Sequence, residues 1–425
     1  MSGNPDSYLL YEYKDKLPYT VRIKVVLDSE INQELLQEAA QEAMSRFPYF
    51  SKEVILDEKQ NYVLKHNERP ITVLPEKDER IVLGSEAVNR HLFTITFRDN
   101  TIWFQFSHSF CGAKGGMFWI KTTLYQYMIK QYGPLAAPAD LKLPGTPVTE
   151  EELAYPDVTK LPEDEPLTRY DGRNCDLALP RFLKYLLNPF AKDNYYYEIQ
   201  IPTKEYMDYA AKIDGSPNSI TAAMMFKTVA NYFKENKDSF VSGRIAADYS
   251  KDIGVPLSYR DFIRFLYVSY DWSMKEESIQ RLNMRARGAI LSQNQPELSY
   301  ERFRKAQNAH NGIDSQPDLK NKKKFASKNS TFRSDAHAVF NISYVGQIDW
   351  GEMEEHIQDI FTITDGDFMV EINALKDHFC FTLQLINKDP GPVELFRSIL
   401  EAEQIPCTVS CRHIRYLPKI ELPDC

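Results

Sequence analysis

The sequence predicts an α/β (α+β) protein made of two comparable halves. Three observations carry this. The chain has 425 residues, too many for one hydrophobic core and suited to two or three domains. Each half runs through strand-like alternation, helical spacing and strand-like alternation again. Between the halves, residues 134–189 are rich in Pro and acidic residues and have little periodicity, as in a long surface crossover. The expected division is 1–170, a linker at 171–194, and 195–425.

The elements follow in order. Tyr19–Leu27 alternates apolar and polar residues, the period of a half-buried strand. Asn32 can cap a helix in which Leu35, Leu36, Ala39, Ala40 and Ala43 recur at helical spacing, and Pro48 prevents its continuation. Short strands are expected at Val54–Leu56, Tyr62–Lys65 and Ile71–Leu74. Leu92–Arg98 and Thr101–His108 flank Asp99-Asn100 as a hairpin. The Gly-rich turn CGAKGG follows, with a helix from Gly116. Within the crossover, a short helix is expected around Arg181–Leu187. Tyr195–Ile201 reads as a strand, and Lys204–Ile213 and Ser219–Lys234 as helices, the second capped by Ser219. Strands at Ile245–Tyr249 and Phe265–Tyr270 precede helices at Lys275–Ser292 and Tyr300–Asn311. The tail is β-rich apart from a helix at Val393–Glu403, which follows the breaker Pro390-Gly391-Pro392.

Composition narrows the function. With 43% hydrophobic and 26% charged residues, wholesale disorder is excluded. Aromatics at 12% can fill two cores and line an apolar channel. A net charge of −9 argues against nucleic acid as the partner. The basic run Lys320–Lys324 reads as a solvated loop. Six cysteines make no disulfide framework, and Cys407 and Cys411 lack the second pair of a zinc site. No metal site is therefore expected, and His91 and His378 read as surface or satisfied core histidines. The opening residues do not resemble a signal peptide, and no apolar run reaches the length of a membrane span. The expectation is a reduced, cytoplasmic monomer.

One stretch carries chemistry, IWFQFSHSFCGAKGGMFWIKTTLYQYM. A buried strand ends at His108, and a turn with Gly112, Gly115 and Gly116 launches a helix. This holds an imidazole at an interior edge beside a helix N-terminus, where it could take a proton from a hydroxyl, amine or thiol. Cys111 reads as core packing rather than a nucleophile. CGAKGG lacks the Gly-Lys-Ser/Thr ending of a nucleotide loop.

This stretch resembles the active-site motif of the condensation-domain and chloramphenicol-acetyltransferase-like superfamily, which reads His-His, three residues, Asp-Gly. The second histidine falls on His108 and the first on Ser107; Gly112 stands at the aspartate and Ala113 at the glycine. Within the superfamily the sequence is most similar to stand-alone bacterial alcohol-acetyltransferase-like proteins. Near the C-terminus, NISYVGQIDW resembles an Asn-x-Ser-x-x-Gly segment, with Asn341, Ser343 and Gly346 in place.

The resemblance implies two chloramphenicol-acetyltransferase-like domains, each a mixed sheet backed by helices, with a tunnel at their interface. It implies an acyltransferase without a resident cofactor, using acyl-CoA or an acyl-carrier thioester as co-substrate and an alcohol or amine as acceptor. His108 would be the general base and Ser343 an oxyanion or orienting contact. Ser107, Gly112, Gly115, Gly116, Asn341 and Gly346 would line the substrate path. The family aspartate pairs with an arginine of the second half. Here RIAADYSKDIG fills the matching region, with Lys251 nearby and that arginine not evident, so both ends of the pair are expected to be lost together. The alternative function is a catalytically degenerate module that binds a carrier protein or synthetase partner.

Overall fold

The alternation at the N-terminus forms β1 (Thr20–Leu27), whose inward side chains Val21, Ile23, Val25 and Leu27 are buried. The computed structural model describes residues 5–170, 194–233, 240–329, 338–386, 388–414 and 417–424. The helix expected at Arg181–Leu187 lies outside the described residues, as do Cys175 and Cys425.

Helix α1 (Tyr8–Glu12) precedes β1. Helix α2 (Gln33–Arg46) is capped by Asn32, whose side chain accepts from the Glu34 and Leu35 amides. The short strands are β2 (Lys52–Leu56), β3 (Tyr62–His66), β4 (Val73–Pro75) and β5 (Val82–Leu83). The hairpin is β6 (Phe93–Arg98) and β7 (Thr101–Ser107), with Asp99 left-handed at its turn. Helix α3 (Ala113–Tyr132) starts a turn earlier than its periodicity predicts. Gly112 takes the extended cap conformation and its carbonyl accepts from the Gly116 amide, so Gly115 and Gly116 form part of the first turn.

The second half supplies β8 (Asn194–Pro202), α4 (Thr203–Lys212), α5 (Pro217–Tyr232), β9 (Phe240–Asp248), β10 (Ile263–Asp271), α6 (Ile279–Gln293) and α7 (Pro296–Asp314). Then come α8 (Leu319–Asn329), β11 (Phe340–Tyr344), β12 (Ile357–Ile363), β13 (Met369–Ala374), β14 (His378–Leu385), α9 (Gly391–Ala402), β15 (Thr408–Ile414) and β16 (Lys419–Ile420). Two sequence expectations fail here. The cap of α5 is Ser216, three residues before the expected Ser219, which closes a reciprocal capping box from inside the first turn. The basic run Lys320–Lys324 is helical in α8 rather than a loop. Leu319, Lys322 and Ala326 share its buried face, and Lys322 Nζ donates to the Lys59 carbonyl at 2.7 Å.

Most strands form two mixed sheets backed by helices, with β16-β5 and β2-β3 as separate pairs. The first has the order β12-β1-β7-β6-β4, and the second β10-β9-β11-β13-β14-β8-β15. Strand β12 comes from the second half of the chain yet pairs antiparallel with β1, placing Ile360 and Phe361 in the first core. The second core packs α4, α5, α6 and α9 against the larger sheet through residues such as Tyr206, Phe226, Leu282 and Phe396. His108 thus emerges from the central strand of the smaller sheet, one strand removed from a segment of the other half.

Candidate active site

Ser107 ends β7 opposite Thr20, and the next amide, that of His108, donates to the Tyr19 carbonyl at 2.7 Å. Tyr19 has a left-handed φ of 50°, uncommon for a residue with a Cβ. Its own amide donates to Asp365 Oδ2 at 2.8 Å, joining the end of β7 to the loop after β12. The Ser107 and Ser109 hydroxyls bond each other at 2.8 Å, and Ser107 is fully buried. Ser107 therefore shapes the turn that carries His108.

The residue missed by sequence reasoning is Asp261. Its Oδ2 lies 3.4 Å from His108 Nδ1, an ion-pair distance, and the two side chains are 25% and 27% exposed. The same carboxylate fills the space a side chain at Gly112 would need: a Cβ there would lie 2.6 Å from Asp261 Oδ1. A carboxylate from the other half of the chain thus stands beside Gly112.

The polarity of the contact between the halves also differs from the expectation of a double loss. Lys251 is exposed, and Arg244 donates to Asn341 Oδ1 and lies over the Phe265 ring. The link runs instead from Lys114 on the motif helix, whose Nζ lies 2.7 Å from Asp248 Oδ2 and also donates to Ser250 Oγ and the Pro256 carbonyl. The cation sits on the motif side and the carboxylates on the other, the reverse of the expected pair.

The crossover holds Asp261 in place. Tyr259 N donates to the Glu152 carbonyl at 3.0 Å, and Ser258 Oγ to the Ala154 carbonyl at 2.8 Å. Arg260 Nε donates to Asp6 Oδ1 at 2.8 Å. The segment lies tight against α3. A Cβ at Gly115 would come 1.9 Å from the Tyr259 carbonyl oxygen, and one at Gly116 2.8 Å from the Phe106 ring. Gly112, Gly115 and Gly116 are thus packed against protein atoms. We expect Gly115→Ala to lose about 1–3 kcal/mol, because the obstacle is backbone. Gly112→Ala should fold with smaller loss, because only the Asp261 side chain must move, and should instead weaken whatever depends on the contact with His108. Chemical denaturation of both variants checks the contrast.

Electrostatics concentrate here. Burial disfavours charge on His108, but the Asp261 carboxylate, reinforced by Glu371 and Asp365, outweighs it and holds the imidazole above its ordinary 6.5. Burial pushes Asp365 up to about 7, partly offset by the Tyr19 amide. It pushes Glu371 up to about 7 as well, against hydrogen bonds from Thr364, at 2.6 Å, and from Ser343. Ser343 faces Glu371 in the parallel pairing of β11 and β13. Its hydroxyl is thereby tied to a carboxyl that interacts electrostatically with His108. Asn341 is engaged with Arg244, and Gly346 takes a φ of +88° in the loop after β11. Burial raises the Cys111 thiol well above its ordinary value, so it packs and does not act as a thiolate.

A stability prediction arises from Glu371. Its folded form binds a proton more tightly than the unfolded chain, whose ordinary value is 4.5. The associated stability is complete below that value and is lost as pH rises to about 7. Glu371→Gln should therefore stabilise the protein at pH 8, by about 3 kcal/mol at most, and give no gain near pH 4. Thermal melts at the two pH values check this.

His108, Ser109, Arg260 and Asp261 line a cavity of about 180 Å³, lined also by Tyr8 of α1 and by residues of α7 and α8 such as Arg302 and Phe325. No helix among the described residues is long and apolar enough to cross a membrane.

No family model and no curated protein matches the sequence. Solved structures do match in fold. TRI101 of F. graminearum, complexed with coenzyme A and T-2 mycotoxin, is 12% identical with a TM-score of 0.60, covering 95% of this chain and 98% of that one. TRI3, a trichothecene 15-O-acetyltransferase from Fusarium sporotrichioides, is 12% identical with a TM-score of 0.55, covering 94% and 93%. Polyketide synthase associated protein 5 from Mycobacterium tuberculosis is 12% identical with a TM-score of 0.56, covering 90% and 93%. The chain has the two-domain chloramphenicol-acetyltransferase-like fold.

Proposed function

We propose that this chain is an acyltransferase that moves an acyl group from a thioester, acyl-CoA or carrier-borne, to an alcohol or amine, with His108 as general base. The carrying observation is the His108–Asp261 contact at the wall of a cavity. With Nδ1 turned to a carboxylate, Nε2 is the nitrogen left to accept a proton. The base takes the acceptor's proton as its oxygen or nitrogen attacks the thioester carbonyl, and returns it to the departing thiolate. Little else is demanded of the protein beyond positioning and a contact for the developing oxyanion. Ser343 is the candidate for that contact, once its hydroxyl proton turns from Glu371 to the oxyanion. Asp261 is a positioning residue that acts through His108.

The structures of TRI101 with coenzyme A, and TRI3 as an O-acetyltransferase, support this reading by shared fold. We take 1–170 and 195–425 as the two domains, joined by 171–194, with β12 of the second crossing into the sheet of the first, acting as a cytoplasmic monomer. The degenerate-module alternative rests on Gly112 in place of aspartate, and Asp261 filling that space removes its main support. The test offers the purified protein acetyl-CoA and longer acyl-CoAs with panels of alcohols and amines, and follows thiol release. Acceptor-dependent release supports the enzyme. No release with any pair, together with binding of a carrier protein, would favour the module.

A further inference from the structure

We infer that Asp359, His378 and Cys380 form a binding site for a divalent metal ion of the zinc class, which staples the crossing strand β12 to the second sheet. The inference is independent of the acyl-transfer reading. The sequence conceals the site because its ligands come from two strands. His378 and Cys380 are two apart on β14 and so share one face. Asp359 arrives on β12, which belongs to the first sheet.

The distances suit a tetrahedral ion. His378 Nε2 lies 3.0 Å and Cys380 Sγ 3.7 Å from Asp359 Oδ1. All three donor atoms lie within 4.8 Å of one another. Bonds of zinc length to oxygen, nitrogen and sulfur at tetrahedral angles put such donors about 3.3–3.6 Å apart. Behind the imidazole, Asp377 Oδ1 sits 2.7 Å from His378 Nδ1. This is the carboxylate–histidine support that orients a ligating Nε2. Gln200 Nε2 also donates to Asp359 Oδ1 at 2.5 Å, with its Oε1 accepting from Thr408. An open cleft lined by Lys24, Glu198, Gln200 and Asp359 gives access. A thiolate, an imidazole and a carboxylate together favour zinc over magnesium or calcium.

The test uses the full chain, stripped with a chelator and titrated with zinc or cobalt(II) at pH 7.5. One ion per chain after desalting is expected, with a thiolate-to-cobalt charge-transfer band. Cys380→Ser should abolish the band, and Asp377→Asn should weaken metal affinity about 10–100-fold. Replacing Cys407 and Cys411 together should leave the band intact. Absence of the band in the wild-type protein would overturn the inference and leave an Asp359–His378 ion pair only; so would a band that follows Cys407 and Cys411. Both outcomes are decided even if Cys380→Ser fails to fold.

Discussion

Replacing His108 by alanine should lower acyl transfer by about 10²–10⁴-fold, the usual contribution of a positioned general base, and leave a folded protein. The fold should survive because His108 is tied to its neighbours through its main chain, the amide donating to Tyr19. Its side chain is partly exposed at a cavity wall and belongs to neither large hydrophobic core. Residual turnover in the variant would reflect proximity and binding alone. The check is kcat/KM from thiol release, with a thermal melt beside it. An unchanged rate in a folded variant would remove His108 from the chemistry.

Glu152→Ala should damage stability heavily, costing about 3–5 kcal/mol. Glu152 is 1% exposed and Arg46 2%. The arginine donates to both carboxylate oxygens at 2.7 and 2.9 Å, and Lys142 Nζ lies 3.0 Å away. Removing the carboxylate strands a buried guanidinium, which costs far more than losing a surface pair. The damage should reach the site, because Arg46 also donates to the Tyr259 hydroxyl, two residues from Asp261. Burial works against the Glu152 charge, yet Arg46, Thr149 and Lys142 hold its pKa down at about 2. Its stabilisation is therefore present above the ordinary 4.5 and is lost as pH falls towards 2. Urea denaturation against the exposed neighbour variant Glu151→Ala measures the cost. A difference below about 1 kcal/mol, the scale of an exposed pair, would contradict it.

The elements that carry His108 were legible because their periodicities are local. The alternation of β1, the hairpin at Asp99-Asn100 and the glycines after β7 each declare themselves within ten residues. Asp261 was not legible, because it lies in an irregular segment between β9 and β10 and reaches His108 only when the crossover pins Tyr259 to Glu152. The available signal was the missing carboxylate itself: a glycine where the motif expects an acid leaves room for an acid from elsewhere. The return of β12 to the first sheet was hidden for the same reason, since strand pairing across the whole chain leaves no local trace. Helix α8 could have been found. Leu319, Lys322 and Ala326 recur at helical spacing, and the basic composition masked the pattern.

The central claim is that a histidine from one half and a carboxylate from the other act together as the base. The pH dependence of kcat/KM for thiol release in wild type and Asp261→Asn tests it most directly. The neutral imidazole is the active form, so the rate should rise with pH through the raised value of His108. Removing the Asp261 charge, with Glu371 and Asp365 still present, should lower that value. The acidic limb of the profile should then shift to lower pH while the plateau rate falls. An unshifted limb in a folded Asp261→Asn protein would contradict the account.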